Sequence, residues 1–500
     1  MAGDLYLTID VGTGSVRAAL VDEAGRIQHL AAHEHDQIVP QYGWSEQRAE
    51  NWWTGVVRAI RDVLAAAPEA KGRIAALCAC GQMHGTVLLD DTGRLTRPNI
   101  PLWNDKRTSE LVRAFETQYR VADYIADSGN PPTPAWPAFK LQWLRDHDAP
   151  AYRSAASVVM PKDFINFRLT GEIAMDRTEA ACSFLMDPRT GTWSQKMCDL
   201  LQLDRAKLAP IRRPLDILGS VTAAAAIETG LPQGLPVLVG AGDFPVALLG
   251  SGVTRPGLGS DVTGTSAIIT LNADRPLLDA EISNIGTVEG GWGGFVLLES
   301  GGDAMRWARR AFHERSLDYA AIVEQAANAP AGSERLFFLP YLTGERFGKH
   351  RNSRAQFFGI TAEHGLAHLH RAVMEGVALA VTRHIRIMEQ ACGHRLERVI
   401  ASGGGAKTPL WLKIKASAYN IPIVIPREAE CGIIGCAAMA ATATGRFSRI
   451  DAAAGSFVTH VGEVLPDPRW AETYQRMQPV FDRLYRHSQA LYDDLDRLHD

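Results

Sequence analysis

The chain has 500 residues, of which 46% are apolar and 22% charged, and its formal net charge is −4. That length exceeds one compact core and suggests about two to four domains, while the interspersed charges leave no basic stripe for nucleic acid. No run reaches the roughly 20 apolar residues that span a bilayer. The seven cysteines fit no zinc or disulfide spacing, and they read as buried thiols of a reducing compartment. The opening MAGDLYLTID lacks the basic region of a signal peptide, so a cytoplasmic protein is expected.

In chain order, Leu5, Leu7 and Ile9 alternate with Tyr6 and Thr8, VGTGS turns the chain, and VRAALVD returns, which predicts a hairpin. The stretch EQRAENWWTGVVRAIRDVLAAA places Trp52, Val56, Ala59, Ile60 and Val63 at helical spacing. AALCAC, the loop GQMHG and TVLLD predict a second hairpin on the same plan. VDEAGRI and LDDTGRL predict two exposed tips, with Gly25 suited to a positive φ. Pro131, Pro132, Pro134 and Pro137 forbid a continuous helix before Ala138.

Near Leu235 the pattern restarts. LPVLVGAGD is an apolar run ending at Asp243, and GLGSDVTGTSAIITL repeats the glycine-threonine turn between two apolar strands. Two such hairpins, one in each half, predict two related α/β domains facing each other across a cleft, where ligands bind. Leu366, Leu369, Val373, Val377, Ala380, Val381, Ile385 and Met388 predict an amphipathic helix closed by Gly393. A further amphipathic helix is predicted from Trp470 onward.

Several short segments carry chemistry. Asp10 with Gly12, Thr13, Gly14 and Ser15 offers a carboxylate and small residues that let backbone approach a phosphate. Taken alone, a plain turn with a capping Asp is the commoner reading, since such turns are frequent. Gly264, Thr265 and Ser266 repeat the turn, with Asp261 one residue further from it than Asp10 is from its own. Ser402–Lys407 is a glycine-rich strand-to-helix turn able to seat a nucleotide, and an ordinary tight turn explains it as well. Asp243, after Gly240 and Gly242, is either a strand-end acid in a cleft or a helix cap. Gln82, Met83 and His84, with Trp103, Asn104 and Asp105, provide the directional hydrogen bonds and the apolar face that a polyol needs. Alone, a hydrogen-bonded structural histidine is the more frequent reading of His84, and a core residue that of Trp103.

GQMHGTVLLD and LWNDKRT, FKLQWLRDH from Phe139, MPKDFINFRLTGEIAMDRTEA, FLPYLTGERF and AQFFGITAEHGLAHLHRAVMEG from Ala355 resemble the FGGY carbohydrate kinase family, over Leu5 to about Gly445. The first two resemble its xylulokinase branch. The resemblance implies a two-lobed actin-like ATPase (ribonuclease H-like) α/β fold with a central cleft. Residues 1–245 would form an N-terminal lobe with the sugar site and first phosphate loop, 246–465 a nucleotide-binding C-terminal lobe, and 466–500 the terminal helix. It implies ATP and Mg²⁺ as cofactors, with Asp10 and Asp243 at the metal. Thr13, Gly14, Ser15, Gly264 and Thr265 would lie at the phosphates, and Gly404 and Gly405 near the adenosine. Met83, His84, Trp103, Asn104 and Asp105 would contact the sugar, and Asp243 would be the catalytic base.

The implied reaction is ATP-dependent conversion of D-xylulose to D-xylulose 5-phosphate. Ribulose, a four-carbon sugar alcohol or a non-catalytic actin-like role are the alternatives. Phe244 stands where this branch often carries a polar residue, which bears on the choice of sugar. Partners are a small sugar and ATP, without nucleic acid or membrane; a homodimer is compatible with the sequence.

Overall fold

The computed structural model describes residues 4–313, 315–345 and 351–498. Arg346 and Phe347, the last residues of FLPYLTGERF, lie outside them. The chain forms two compact units that do not follow chain order. Residues 1–254, 284–293 and 430–459 make the first, and 255–283, 294–429 and 460–500 the second. The segment 430–459 thus packs with the N-terminal unit, although it lies far beyond residue 245 in sequence.

In the first unit, β1 (Leu5–Val11) and β2 (Ser15–Asp22) form the expected hairpin, and β3 (Ile27–Glu34) extends it antiparallel. β1 sends Leu5, Leu7, Ile9 and Val11 to one face, against Trp52, Val56, Ile60 and Val63 of α1 (Ala49–Ala66). Tyr6 goes to the other face, among Ile433, Ala437 and Ala441 of the Cys431–Ala443 helix. A strand covered on both faces reads as a continuous apolar run, which is what LYLTIDV is.

β4 (Ile74–Gly81) lies parallel to β1. It does not form the second predicted hairpin, because Val87–Leu89 pairs instead with Ser157–Val159. The two form a separate two-stranded ladder, and GQMHG becomes a loop leaving the main sheet. The LDDTGRL tip does form. Asp90 Oδ1 accepts from Thr92 N and Arg94 N at 2.9 Å each, as Asp22 Oδ1 does from Ala24 N and Arg26 N at 2.9 and 3.0 Å.

After α2 (Pro137–His147), α3 (Pro161–Thr170) and α4 (Arg177–Ala181), the chain returns to the sheet. It does so through β5 (Ile217–Ser220), β6 (Pro236–Leu238) and the two-residue β7 (Ala241–Gly242), and enters α5 (Asp243–Ser251). The sheet order is β5-β6-β4-β1-β2-β3, with β7 also paired to β4.

The second unit repeats this plan. β8 (Leu258–Thr263) and β9 (Ala267–Ala273) make the hairpin; β10 (Ser283–Gly286) and β11 (Trp292–Leu298) follow, then helices α6 (Gly302–His313) and α7 (Leu366–Cys392). β12 (Arg398–Ser402), α8 (Pro409–Tyr419), β13 (Ile423–Pro426), β14 (His460–Val464) and α9 (Pro468–Arg497) complete it. The order is β10-β11-β9-β8-β12-β13-β14. In both sheets the first strand is antiparallel to the second (β1 to β2, β8 to β9) and parallel to a later one (β4, β12), and a further parallel strand (β6, β13) carries an antiparallel edge strand (β5, β14).

α7 departs from expectation. It is buried all round from His370 to Thr382, whereas Leu366 is exposed. Small residues allow this: a Cβ on Gly376 would stand 2.2 Å from the Phe338 carbonyl oxygen. The charges on its far side are neutralised internally, with Arg371 Nε on Glu375 at 2.8 Å. All seven cysteines are buried. No helix among the described residues is long and apolar enough to cross a membrane.

Candidate active site

Three parallel strands of the first unit end side by side. Asp10 of β1 is in register with Cys80 of β4, which pairs with Ala241 of β7. One step further on, Val11, Gly81 and Gly242 are in register, and Asp243 follows immediately. Ligands of open α/β sheets bind outside such carboxyl ends of strands. The loop after β4 lies at the same edge: a Cβ on Gly242 would stand 2.8 Å from Met83 Sδ. Met83, Asp10 and Asp243 are therefore brought together, as their sequence setting suggested.

Asp10 is largely enclosed. Its Oδ1 has no hydrogen-bond partner, and its Oδ2 lies 3.7 Å from Arg17 Nη1, which also pairs with Glu430. Burial raises its pKa and Arg17 opposes the rise. Asp243 is the first residue of α5, with Gly242 at the N-cap, so it does not cap the helix; its Oδ1 accepts from its neighbour Phe244 N at 2.7 Å. Burial, then the negative charge of Asp10, push its pKa up to about 7. Unpaired buried carboxylates shift in this way, and they cluster where protons move.

His84 takes a left-handed conformation at φ 68°, costly for a residue with a Cβ. Its carbonyl accepts from Lys140 Nζ at 2.8 Å, and its ring stands edge-on to Trp136 with centroids 5.0 Å apart. Its Nδ1 has no partner, and burial, then Lys140, hold its pKa far below the usual imidazole range. Asn104 Oδ1 is likewise buried and unpartnered.

Asp105 is spent elsewhere. Oδ1 takes Arg107 Nε at 2.8 Å, while Oδ2 takes Arg107 Nη2 and Ser45 N at 2.7 Å each. It fastens its loop and has little left to offer a ligand. Trp103 is 39% exposed and donates from Nε1 to Thr13 Oγ1 at 3.1 Å, tying the WND loop to the first glycine-threonine turn. Gly14 in that turn has open space where a Cβ would stand. Gly12 N donates to the carbonyl of Ser15 at 3.0 Å.

Sequence reading passed over several residues. Gln47 links the loops: its amide donates to Thr13 O at 2.6 Å and accepts from Gln82 Nε2 at 2.8 Å. Lys140 is fully buried, and burial lowers its pKa to about 7. Glu179 is fully buried with neither carboxyl oxygen partnered, and burial, then Asp176 and Asp163, raise its pKa far above the ordinary range. The signal was present: Lys162, Asp163, Asp176 and Glu179 lie in the apolar-rich segments MPKDFINF and IAMDRTEAA, where charges cost most.

In the second unit, Gly264 and Thr265 meet Gly404 and Gly405 around a cavity of about 480 Å³. β8 and β12 are parallel, so their carboxyl-end loops share this edge too. Gly403 (φ 77°) passes so close that a Cβ would stand 2.6 Å from the Thr263 carbonyl oxygen. Gly302 N and Asp303 N, opening α6, donate to the carbonyls of Gly264 and Thr265 at 2.9 and 3.0 Å. Met305, Tyr319, Met374 and Trp411 give the cavity an apolar wall, and Arg306 and Lys407 give it positive charge.

Each unit is thus an α/β sheet with glycine-rich loops at the carboxyl ends of parallel strands, and the two share one topology. This is the fold of the actin-like ATPases that phosphorylate sugars. The N-terminal domain model of the FGGY family of carbohydrate kinases matches residues 5–250, and the C-terminal domain model matches 260–444. The chain belongs to that family and is a carbohydrate kinase, a phosphotransferase with an alcohol acceptor.

It is similar to the xylulose kinase of Staphylococcus epidermidis, at 28% identity over 503 residues and 99% of each chain. It is also similar to the autoinducer-2 kinase of Klebsiella pneumoniae, at 27% over 507 residues, 97% of this chain and 94% of the relative. The crystal structure of xylulose kinase from Rhodospirillum rubrum superposes with a TM-score of 0.93 at 28% identity, covering 98% of this chain and 100% of the other.

Proposed function

We propose that the protein transfers the γ-phosphoryl group of ATP to D-xylulose, giving D-xylulose 5-phosphate, with Asp243 as general base. The observation that carries this reading is the placement of Asp243 beside Asp10 and Met83, with a pKa near the pH at which a base must work. Ionised Asp243 takes the hydroxyl proton as the sugar oxygen attacks the γ-phosphorus and ADP leaves. Such transfer depends on positioning and charge neutralisation more than on covalent catalysis.

His84 Nδ1 and Asn104 Oδ1 supply hydrogen bonds to the sugar, their lack of protein partners being the support for that role. The exposed face of Trp103 offers a surface for stacking, and Asp105 acts through its loop. The cavity of the second unit suits ATP, with an apolar wall for the base and Arg306, Lys407 and the Gly264–Thr265 backbone for phosphates. Thr13, Gly14 and Ser15 of the first unit offer the first phosphate loop, a turn of small residues open to a phosphate.

Asp10 and Asp243 fit Mg²⁺. Hard carboxylate oxygens, one of them buried without a partner, are the donors this ion takes alongside phosphates, and among the described residues no larger metal-ligand cluster exists. When bound, Mg²⁺ would neutralise charge on the phosphates.

A second reading, another ketopentose or a polyol, is favoured by Phe244, which puts an apolar ring directly after the base. Autoinducer-2 kinase as a relative at nearly equal identity supports keeping it. A coupled assay of ADP release across D-xylulose, D-ribulose, erythritol and other polyols decides between them. The highest kcat/KM is expected for D-xylulose, and rapid turnover of another acceptor with none of D-xylulose overturns the choice of sugar while leaving the kinase intact.

A further inference from the structure

The segment that delivers Asp243 is held through its backbone alone, by its pairing with β4 and by Gly240 N donating to the Pro214 carbonyl at 3.0 Å, because its own side chains add nothing. Gly240, Ala241 and Gly242 carry no side chain beyond a methyl, and Gly240 sits at φ 71° with a would-be Cβ 2.0 Å from the Ala79 carbonyl oxygen. Two backbone groups flank it, the carbonyl of Val239 and the amide of Gly242. Both are taken by side chains from one stretch of sequence. Lys162 Nζ donates to Val239 O at 3.0 Å, and Asn166 Nδ2 donates to the same oxygen at 2.8 Å. Gly242 N donates to Thr178 Oγ1 at 3.0 Å.

These anchors are joined behind the strand. The Thr178 hydroxyl donates to Asp176 Oδ1, which also accepts from Thr178 N at 2.7 Å. Asp176 Oδ2 lies 2.8 Å from Lys162 Nζ, and Lys162 pairs with Asp163 as well. All four residues are buried. A buried ionic cluster of this kind is weak evidence for stability, because well-packed apolar residues serve a core as well or better. Its geometric yield is specific: one thread of ions and hydroxyl clamps the peptide groups on either side of Gly240–Ala241, and the next residue is the base.

We infer that Thr178, backed by Asp176 and Lys162, is a positioning residue that fixes the backbone from which Asp243 reaches the acceptor hydroxyl. The inference rests on Asp243 being the base. Thr178 does not touch the reacting atoms; it acts through Gly242. Misplacing a reacting group by about 1 Å can cost on the order of a hundredfold in rate, so the effect belongs in kcat and not in the binding of either substrate.

The test compares Thr178→Val, Thr178→Ser and Asp243→Asn in the full chain, with thermal melts and steady-state kinetics for sugar and ATP. Thr178→Val keeps the shape and removes the oxygen. It is expected to lower kcat about ten- to a hundredfold with both KM values within about twofold. Thr178→Ser is expected to restore kcat to within about threefold of the parent. A wild-type kcat in Thr178→Val, a loss in KM alone, or a serine variant as slow as the valine one overturns the inference. Should Thr178→Val not fold, Thr178→Cys, which differs from Thr178→Ser by one atom, decides: equal kcat values overturn the inference, and a slower cysteine variant upholds it. If Asp243→Asn retains full turnover, the base assignment falls and this inference with it. If Asp243→Asn is inert while Thr178→Val is wild-type, only the positioning role falls.

Discussion

The two glycine-threonine hairpins look alike in sequence and have opposite chemistry behind them. The last paired residues are Val11 with Val16 in one and Thr263 with Ala267 in the other. Counting back, Asp10 is one residue from the turn and Asp261 two, so the carboxylates leave opposite faces of equivalent strands. Asp10 faces the Cys431–Ala443 helix, with Gly432 near its Oδ2, and keeps one oxygen free. Asp261 faces α8 and is consumed: Lys415 Nζ lies 3.0 and 2.9 Å from its two oxygens, and Tyr419 OH donates at 2.8 Å. A one-residue offset in a strand turns a ligand-ready acid into a structural one.

The strongest way to break this contrast is at Asp243, the proposed base, which shares Asp10's edge. Asp243→Ala is expected to lower kcat by about two to four orders of magnitude while the melting temperature and nucleotide binding persist, measured by steady-state kinetics and calorimetry. Asp261→Ala should do the reverse. It strands the buried Lys415 ammonium, and about 3–5 kcal/mol of unfolding free energy is expected to go, read by denaturant titration. A fully stable Asp261→Ala would dissolve the distinction between the two hairpins.

The pH dependence sharpens it further. As the proposed base Asp243 must be ionised to act, and its pKa is raised to about 7, first by burial and then by Asp10. kcat/KM is therefore expected to rise with pH through about 7 and level off above it. Asp10→Asn removes the neighbouring negative charge, so the residual activity should show its acid limb at lower pH; an unmoved limb would separate the two carboxylates. The same raised pKa makes Asp243 a cost to the fold that grows as pH climbs from the ordinary carboxylate range through about 7, because the unfolded chain ionises first. Asp243→Asn should raise the melting temperature at pH 8 and not at pH 4. The smallest effect is expected at Phe244. Replacing it with Asn should raise kcat/KM for D-xylulose by about tenfold or less, the scale of one hydrogen bond, and no change would remove Phe244 from the discussion of substrate.

Much of the plan was legible in the residues. Alternation and turn chemistry announced both hairpins, and the helical spacing of Trp52, Val56, Ala59, Ile60 and Val63 matched a face that is buried. The GQMHG hairpin failed because strand pairing is a choice among distant partners, and local pattern does not name them. The face assigned to α7 is buried from Val373 to Met388, but its opposite side is enclosed as well, with Arg371 and Glu375 paired inside, and the local pattern does not show that. At the site, Asp10, Met83 and Asp243 could be singled out, whereas Asp105 looked like a ligand group until Arg107 and Ser45 were seen to occupy it.

What the sequence determined by itself was chemistry carried within a few residues: turns, strand ends, helix faces, and the family those motifs mark. What only the tertiary structure decided was which of those groups remain unsatisfied. Whether an aspartate binds a ligand or a lysine depends on partners some 150 residues away, as with Asp261 and Lys415. The same holds for Gly242, whose amide is held by Thr178, a residue 64 positions earlier in the chain. Local sequence sets what a group can bond, and packing sets what is left for it to bond.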